Sequence, residues 1–167
     1  NKSLFVKSDE KLNGKKIAMA LKKFPKINRL AEPNQKDFVS DVNLFNIQAE
    51  MIRELAKTES CIIVGKCANY ILKDFDNVVS VYVEAPRRAC RATIMDRLDV
   101  TAQEADQMIY QTDKYRSDYY SYYTGGGKWT DPVAYDMTLN SERIGYDDCA
   151  DLIIHYKDIK LARRSDS

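Results

Sequence analysis

A continuous apolar run, Cys61-Ile-Ile-Val64, ends at Gly65 and constrains the fold more than any other segment of the sequence. Consecutive apolar residues without alternation are typical of a strand that is buried on both faces. The β-branched segment from Val78 to Val83 predicts a second strand, and Tyr135 to Leu139 predicts a third. Because helical patterns separate these segments, the sequence predicts an α/β fold in which helices flank a mainly parallel sheet.

Helical segments are predicted from apolar spacing and from their end signals. Residues 12–24 and 43–58 repeat apolar side chains every three or four positions. Pro86 suits the first turn of the helix that follows the second strand. Thr101 and Glu104 form a capping box, which predicts that another helix begins there.

The helix after the capping box carries a stripe of tyrosines: Tyr115, Tyr119, Tyr122 and Tyr123. Their spacing makes one continuous face, which favours packing in the core over stacking on a ligand. Gly125-Gly-Gly127 then ends the helix and is either the hinge of a mobile lid or a simple helix stop. A last helix is predicted over residues 146–157, followed by a polar tail over residues 161–167.

The charge balance and the cysteine pattern exclude several classes of protein. The chain of 167 residues has 26 Lys plus Arg against 25 Asp plus Glu. Proteins that coat nucleic acids or membrane surfaces usually have a basic excess, so neither partner is expected. No apolar run approaches the roughly 18 residues that span a bilayer, and the N-terminus lacks a signal-peptide pattern. Without a CxxC pair, a zinc site is not expected, and we predict a cytoplasmic protein with reduced thiols.

Polar and charged residues follow each predicted strand. Gly65-Lys66 follows the first strand, Glu84 to Arg88 the second, and Asn140-Ser141 the third. Ligands of parallel sheets bind at the carboxyl ends of the strands. We therefore expect these three segments to contribute to one binding site.

Four segments in the same order, over about residues 40–156, resemble the cytidylate-kinase-like family of P-loop nucleoside monophosphate kinases. They are Asn43 to Ala49 with Glu59 to Leu72; Val81 to Pro86; Thr112-Asp-Lys-Tyr-Arg116 with Tyr119-Tyr120 and Tyr122 to Gly125; and Trp129-Thr-Asp-Pro132 with Tyr135-Asp136 and Leu139-Asn-Ser141. The resemblance implies transfer of the γ-phosphoryl group of ATP to CMP or dCMP. Mg²⁺ would be carried mainly by the nucleotide phosphates. The oligomeric state, including a homodimer, stays open.

The resemblance also implies how the chain is organised. It predicts one domain over residues 1–160, with the polar tail after it. Within that domain we expect a variable segment, a core βαβ unit, a helical lid, and a last strand with its helix; these cover residues 1–40, 61–100, 101–132 and 133–157. The family begins with a strand and a glycine-rich loop that wraps the ATP phosphates.

The sequence departs from the family at that loop. No segment matches G-x-x-x-x-G-K-[ST], and the nearest fragment, Asn13-Gly-Lys-Lys16, has no apolar strand before it. In the family the loop's strand lies in the middle of the sheet, between the strands matching residues 61–64 and 78–83. Its absence would leave buried backbone groups unpaired, at about 1–3 kcal/mol each. We therefore expect that upstream residues, or another segment, fill this position.

The lid segment supplies the candidate catalytic residues. Phosphoryl transfer needs positive charge around the transferred group. Arginine suits this role because its planar guanidinium forms bidentate hydrogen bonds with two phosphate oxygens. Arg116 is the best candidate, and Asp113, three residues earlier, is placed to hold it; a surface ion pair is the alternative. Lys114 lies about 160° away from Arg116 on a continuous helix, so both serve one site only if the helix breaks or the lid folds over.

The remaining candidates follow the strands. Arg97 and Arg91 lie on a helix with four arginines, which is either a phosphate-binding surface or a solvated face, and Arg97 matches the family pattern better. Gly65, Lys66 and Asn69 resemble the nucleoside monophosphate contact, although the family usually has Gly-Arg and Asp there, so base or sugar selectivity is expected to differ. Asn140 and Ser141 resemble the ATP-side loop and are alternatively a strand-to-helix cap.

Three functions remain open from the sequence. The first is a nucleoside monophosphate kinase of the cytidylate type. The second is a catalytically inactive nucleotide-binding or interaction module of the same fold, which the missing glycine-rich loop favours. The third is a related kinase for another small acceptor, such as shikimate or a nucleoside. The retained Asp113 and Arg116 favour a kinase, because a lid has little use without a phosphate to close on.

Overall fold

The computed structural model describes residues 41–165, so the predicted helix over residues 12–24 and the rest of segment 1–40 lie outside the described residues. The elements in chain order are α1 (Asp41–Thr58), α2 (Ala68–Ile71), β1 (Val81–Glu84), α3 (Arg87–Leu98), α4 (Ala102–Tyr123), a 3-10 turn (Pro132–Ala134), β2 (Met137–Asn140), α5 (Ser141–Ile144) and α6 (Tyr146–Ser165). The described part is therefore a mixed α/β structure with mostly helical content. Among these helices, none is both long and apolar enough to cross a membrane.

The two strands of the described residues pair in parallel, with Val81 opposite Met137 and Glu84 opposite Asn140. Helices α3 and α4 lie between them in the chain, as a parallel crossover requires. This confirms the predicted α/β class and the parallel sheet flanked by helices. Strand β1 begins at Val81, later than the predicted start at Val78. The arrangement of the sheet as in P-loop kinases stays a prediction.

The strand predicted over residues 61–64 is wrong. These residues have no regular secondary structure, and the side chains of Ile62 and Val64 are 94% and 87% exposed. Within residues 41–165 no strand pairs with this segment. A β-branched run forms a strand only where a neighbouring strand completes the ladder and packs against its side chains, so the apolar pattern alone gave the wrong structure here.

The described chain divides into two compact units, and the first holds residues 41–74 and 118–128. Its core contains one side of α1, where Leu44, Ala49 and Ile52 are buried. Phe45 on α1 stacks on Tyr123, with ring centroids 3.9 Å apart and an interplanar angle of 7°.

The tyrosine stripe of α4 is largely a packing feature, as predicted. Tyr123 is 2% exposed, and its hydroxyl donates to the Asp41 carbonyl at 2.9 Å. Tyr119 and Tyr122 are half-buried, whereas Tyr115 is exposed. The buried Tyr120 was left out of the predicted stripe.

The second unit holds residues 75–117 and 129–165 and contains the sheet. Buried side chains from α4, β2 and α6 contribute to its core: Ala105, Ile109, Leu139 and Cys149. The predicted capping box is confirmed, since the Thr101 N–H donates to the Glu104 carboxylate at 2.8 Å and the Glu104 N–H donates to the Thr101 hydroxyl at 3.3 Å. The Thr101 hydroxyl also donates to the Glu104 carboxylate at 2.7 Å. This bond first, and then the bond from the Thr101 N–H, lowers the pKa of Glu104.

Candidate functional site

The carboxyl ends of β1 and β2 meet at Glu84 and Asn140, which are partners in the parallel register. The Ser141 hydroxyl donates to the Glu84 carbonyl at 3.1 Å and so ties the two strand ends together. The Asn140 side-chain oxygen accepts the N–H groups of Glu142 and Arg143, each at 3.2 Å. Asn140 therefore caps the start of α5, as the alternative interpretation predicted.

Three of the four arginines of α3 form ion pairs, with two different carboxylates. Arg87 and Arg91 both donate to Asp106 on α4, each with a contact at 3.1 Å. These two bonds, from Arg87 first and then Arg91, hold the pKa of Asp106 below its ordinary value. Arg88 pairs with Glu142 at 2.7 Å. The charge that Arg91 would offer a phosphate is therefore already partly neutralised.

Arg97 lies in the last turn of α3 and is exposed. Within residues 41–165 the structure gives its guanidinium no ion pair. Of the two α3 candidates named from the sequence, Arg97 is thus the more available to a ligand, although the structure leaves its role a prediction.

Arg116 lies on α4 with its side chain 57% exposed. Its Nη1 is 3.6 Å from the Asp113 Oδ1, so the predicted pair at i and i+3 is present. Its guanidinium carbon lies 5.8 Å from the centroid of the Trp129 ring. Because α4 is one continuous helix, Lys114 projects to the other side, and only a change in the helix would bring both cations to one ligand.

Tyr82 and Trp129 were not assigned a role from the sequence, although both lie in segments that carry the resemblance. Trp129 meets the Tyr82 ring edge to face, with centroids 5.5 Å apart, and Tyr82 stacks on Tyr135 at 5.4 Å. Burial raises the pKa of Tyr82, the charges of Glu84 and Asp113 raise it further, and Arg116 opposes the rise. The charges of Asp113 and Arg116 on α4 therefore act on Tyr82 of β1.

In the first unit, the residues after the exposed apolar run adopt an unusual backbone. Gly65, Lys66 and Cys67 have φ angles of 73°, 55° and 55°, and the Ala68 N–H donates to the Gly65 carbonyl at 3.0 Å. The left-handed region costs a residue other than glycine about 1–2 kcal/mol. Such strain is concentrated at functional sites, so this turn is a candidate ligand contact.

Two side chains of this turn contact the tyrosines of α4. The Lys66 ammonium lies 6.0 Å from the centroid of the Tyr119 ring. Asn69 donates from Nδ2 to the Tyr120 hydroxyl at 2.9 Å. The structure thus brings Gly65, Lys66 and Asn69 together within the first unit and Asp113 with Arg116 within the second. It ties Arg91 to Asp106, while Asn140 and Ser141 link the strand ends.

The comparison with models of known protein families agrees with the resemblance of the sequence. A sequence model of the cytidylate kinase-like family matches residues 1–143. A search of curated proteins finds no match. Among solved structures, the chain is similar to an uncharacterized protein from Eubacterium ventriosum ATCC 27560, with 25% identity and a TM-score of 0.59 over 86% of this chain and 88% of that chain. Since the family match spans most of the 167 residues, this chain belongs to the cytidylate kinase-like family.

Proposed function

We propose that the protein is a nucleoside monophosphate kinase that transfers the γ-phosphoryl group of ATP to CMP or dCMP. Membership of the cytidylate kinase-like family supports a nucleotide kinase-like function. The observation that carries the proposal is Arg116, an exposed guanidinium beside Asp113 on the segment that resembles the family's lid. A cytoplasmic location and a preference for free nucleotides over nucleic acid stay predictions.

Arg116 would stabilise the charge that spreads over the oxygens of the transferring phosphoryl group. Its planar fork offers N–H donors in one plane, and within residues 41–165 the only carboxylate paired with it is Asp113, at 3.6 Å. A contact of that length restrains the side chain without using all of its donors. Asp113 is therefore a positioning residue for Arg116 in this proposal.

The acceptor nucleotide would bind at the left-handed turn of the first unit. Lys66 supplies a point charge for the acceptor phosphate, where the family usually has the fork of arginine. Asn69 supplies an amide where the family usually has a carboxylate, and its Nδ2 is held by the Tyr120 hydroxyl. A neutral amide changes which hydrogen bonds a base or sugar can make, so the acceptor preference is expected to shift.

In this proposal ATP would supply the phosphoryl group, and Mg²⁺ carried on its phosphates would offset their negative charge. In the described part, Arg116 and the amide NH₂ of Asn140 at the strand end would contact the phosphates of ATP, whereas Lys66 would contact the acceptor phosphate. The glycine-rich loop that would wrap a triphosphate has no counterpart in the sequence. The described residues therefore fit the lid and the acceptor side better than the donor side.

A second candidate is a nucleotide-binding module of the same family without catalytic activity. The ion pair that Arg91 forms with Asp106 favours it, because that arginine is already engaged within the chain. This candidate predicts binding of a monophosphate without turnover. It also predicts that binding does not depend on the guanidinium of Arg116, since no phosphoryl group is transferred.

The two candidates are separated by an assay for ADP release with Mg-ATP and, in turn, CMP, dCMP, UMP, AMP and GMP. The full-length gene product is compared with Arg116→Gln and with Lys157→Gln. The second variant is a control that removes an exposed cation whose ion pair within residues 41–165 is with its neighbour Asp158. A kinase shows turnover with cytidine monophosphates that Arg116→Gln loses and Lys157→Gln keeps. Monophosphate binding by calorimetry without ADP release in any sample supports the inactive module.

A further inference from the structure

We propose that Trp129 is a positioning residue for Arg116 and holds its guanidinium where the N–H donors reach a phosphate. This inference rests on the proposed phosphoryl transfer and adds a residue to it. Arg116 lies on α4, and Trp129 lies in the segment before the 3-10 turn. The two meet with the guanidinium carbon 5.8 Å from the ring centroid.

The geometry of this contact leaves the donors of Arg116 usable. A cation over an aromatic ring is attracted to the face of the ring, and tryptophan gives the strongest attraction of this kind. The guanidinium plane carries five N–H donors, so contact with one aromatic ring leaves donors in that plane for a phosphate. The side chain of Arg116 is 57% exposed, which leaves that plane accessible.

Trp129 is itself held in place by the sheet. The Tyr135 hydroxyl donates to the Trp129 carbonyl at 2.7 Å. The Tyr82 ring on β1 meets the indole ring at an interplanar angle of 88°, and Tyr82 also stacks on Tyr135. Trp129 is half-buried as a result, and it connects the position of Arg116 to β1.

Asp113 alone is a weak restraint on Arg116. An exposed ion pair between residues three apart on a helix contributes little, because it must order two long side chains in water. The 3.6 Å separation is also at the long end for such a pair. The indole ring adds a second, independent contact from a different segment, and two contacts restrict the arginine rotamers more than one.

Trp129 is the single tryptophan of the chain, so its fluorescence reports on this contact directly. We would record emission of the full-length protein, Arg116→Gln and Lys157→Gln, each alone and titrated with tripolyphosphate. Arg116→Gln is expected to change the emission, and Lys157→Gln is not. Tripolyphosphate is expected to change the wild-type emission and to have no effect in Arg116→Gln. Emission of Arg116→Gln identical to wild type would overturn the proposal, as would a tripolyphosphate response that persists without Arg116.

Kinetics provide the second measurement. Trp129→Phe keeps an aromatic ring beside Arg116, whereas Trp129→Leu removes it. Loss of a cation–π contact at an exposed site should lower kcat of the leucine variant about 2- to 5-fold. KM for both nucleotides should change less than kcat, and Trp129→Phe should recover most of the rate. Equal rates in the two variants would overturn the proposal. If the wild-type protein shows no turnover, the kinase assignment fails, while the fluorescence of Arg116→Gln still decides the role of Trp129.

Discussion

Asp136 accepts two hydrogen bonds from Ser80, one from the backbone N–H at 2.7 Å and one from the hydroxyl at 3.0 Å. Ser80 directly precedes β1 and Asp136 directly precedes β2, so these bonds join the starts of the paired strands. Lys160 on α6 donates to the same carboxylate at 2.9 Å and to the Val78 carbonyl at 2.6 Å. One ionised side chain therefore links both strands to the last helix.

The first prediction is that Asp136→Asn lowers the free energy of unfolding by about 1.5–3 kcal/mol, the value of a hydrogen bond to a charged group. The Asp136 side chain is 21% exposed, so water replaces its bonds poorly. Urea unfolding followed by circular dichroism measures the change. Asp151→Asn on α6, an exposed aspartate, is the matched control and should stay within about 0.5 kcal/mol of wild type.

The same carboxylate makes stability depend on pH. Partial burial raises the pKa of Asp136, but hydrogen bonds from Ser80 and Lys160 outweigh it and hold the pKa below its ordinary 3.8. A group with a lowered pKa adds stability above its unfolded pKa and loses that contribution as pH falls through its folded pKa. The difference in free energy of unfolding between wild type and Asp136→Asn should therefore decrease as the pH falls below about 4. If this difference in free energy of unfolding stays constant into strong acid, the ionised form of Asp136 is not what stabilises the fold.

The second prediction concerns Arg116. Removal of a preorganised donor to the transition state costs about 100-fold or more in kcat, and Arg116→Gln should show a loss of this size. Arg116→Lys should recover only part of it, because the ammonium keeps the charge but cannot bind two oxygens in one plane. Steady-state ADP release with CMP and ATP gives both values. Equal activity of the lysine variant and wild type would mean that charge alone is needed.

Helix positions followed from the sequence because their apolar spacing and end signals are local. Thr101 and Glu104 predicted the start of α4 within one residue, and Pro86 marked the start of α3. The sheet was harder to predict, since a strand depends on neighbours far away in the chain. The run ending at Val64 has the composition of a strand but no ladder partner within residues 41–165, and α5 is too short to give a periodic pattern.

The candidate site shows the same limit. The pair of Asp113 and Arg116 could be predicted, because residues three apart meet on any helix. The bonds from Arg87 and Arg91 to Asp106 depend on how α3 packs on α4, and no sequence pattern specifies that packing. The contact between Arg116 and Trp129 was missed for the same reason, since it joins a helix to a loop after the glycines.

The third prediction concerns the four cysteines, which are free thiols in the structure and differ in exposure. Cys61 is exposed, whereas Cys67 is 5% exposed and burial raises the pKa of its thiol to about 12, against the opposing charge of Lys66. A thiol reagent at about pH 8 should therefore modify Cys61 quickly and Cys67 only after unfolding. Mass spectrometry of the alkylated peptides identifies each site. The control is Cys61→Ser, which should lose the fast phase of modification. Fast modification of Cys67 in the folded protein would contradict its burial.

The last prediction separates backbone strain from ligand binding at Lys66, whose φ of 55° is unfavourable for any residue with a Cβ. Lys66→Ala and Lys66→Gly both remove the ammonium group, but only glycine relieves the left-handed backbone. Lys66→Gly should therefore be more stable than Lys66→Ala by about 1 kcal/mol in urea unfolding. If the ammonium binds the acceptor phosphate, both variants raise KM for CMP by the same factor and leave KM for ATP unchanged. A KM increase in the glycine variant alone would indicate instead that the strained turn, and not the lysine charge, shapes the acceptor site.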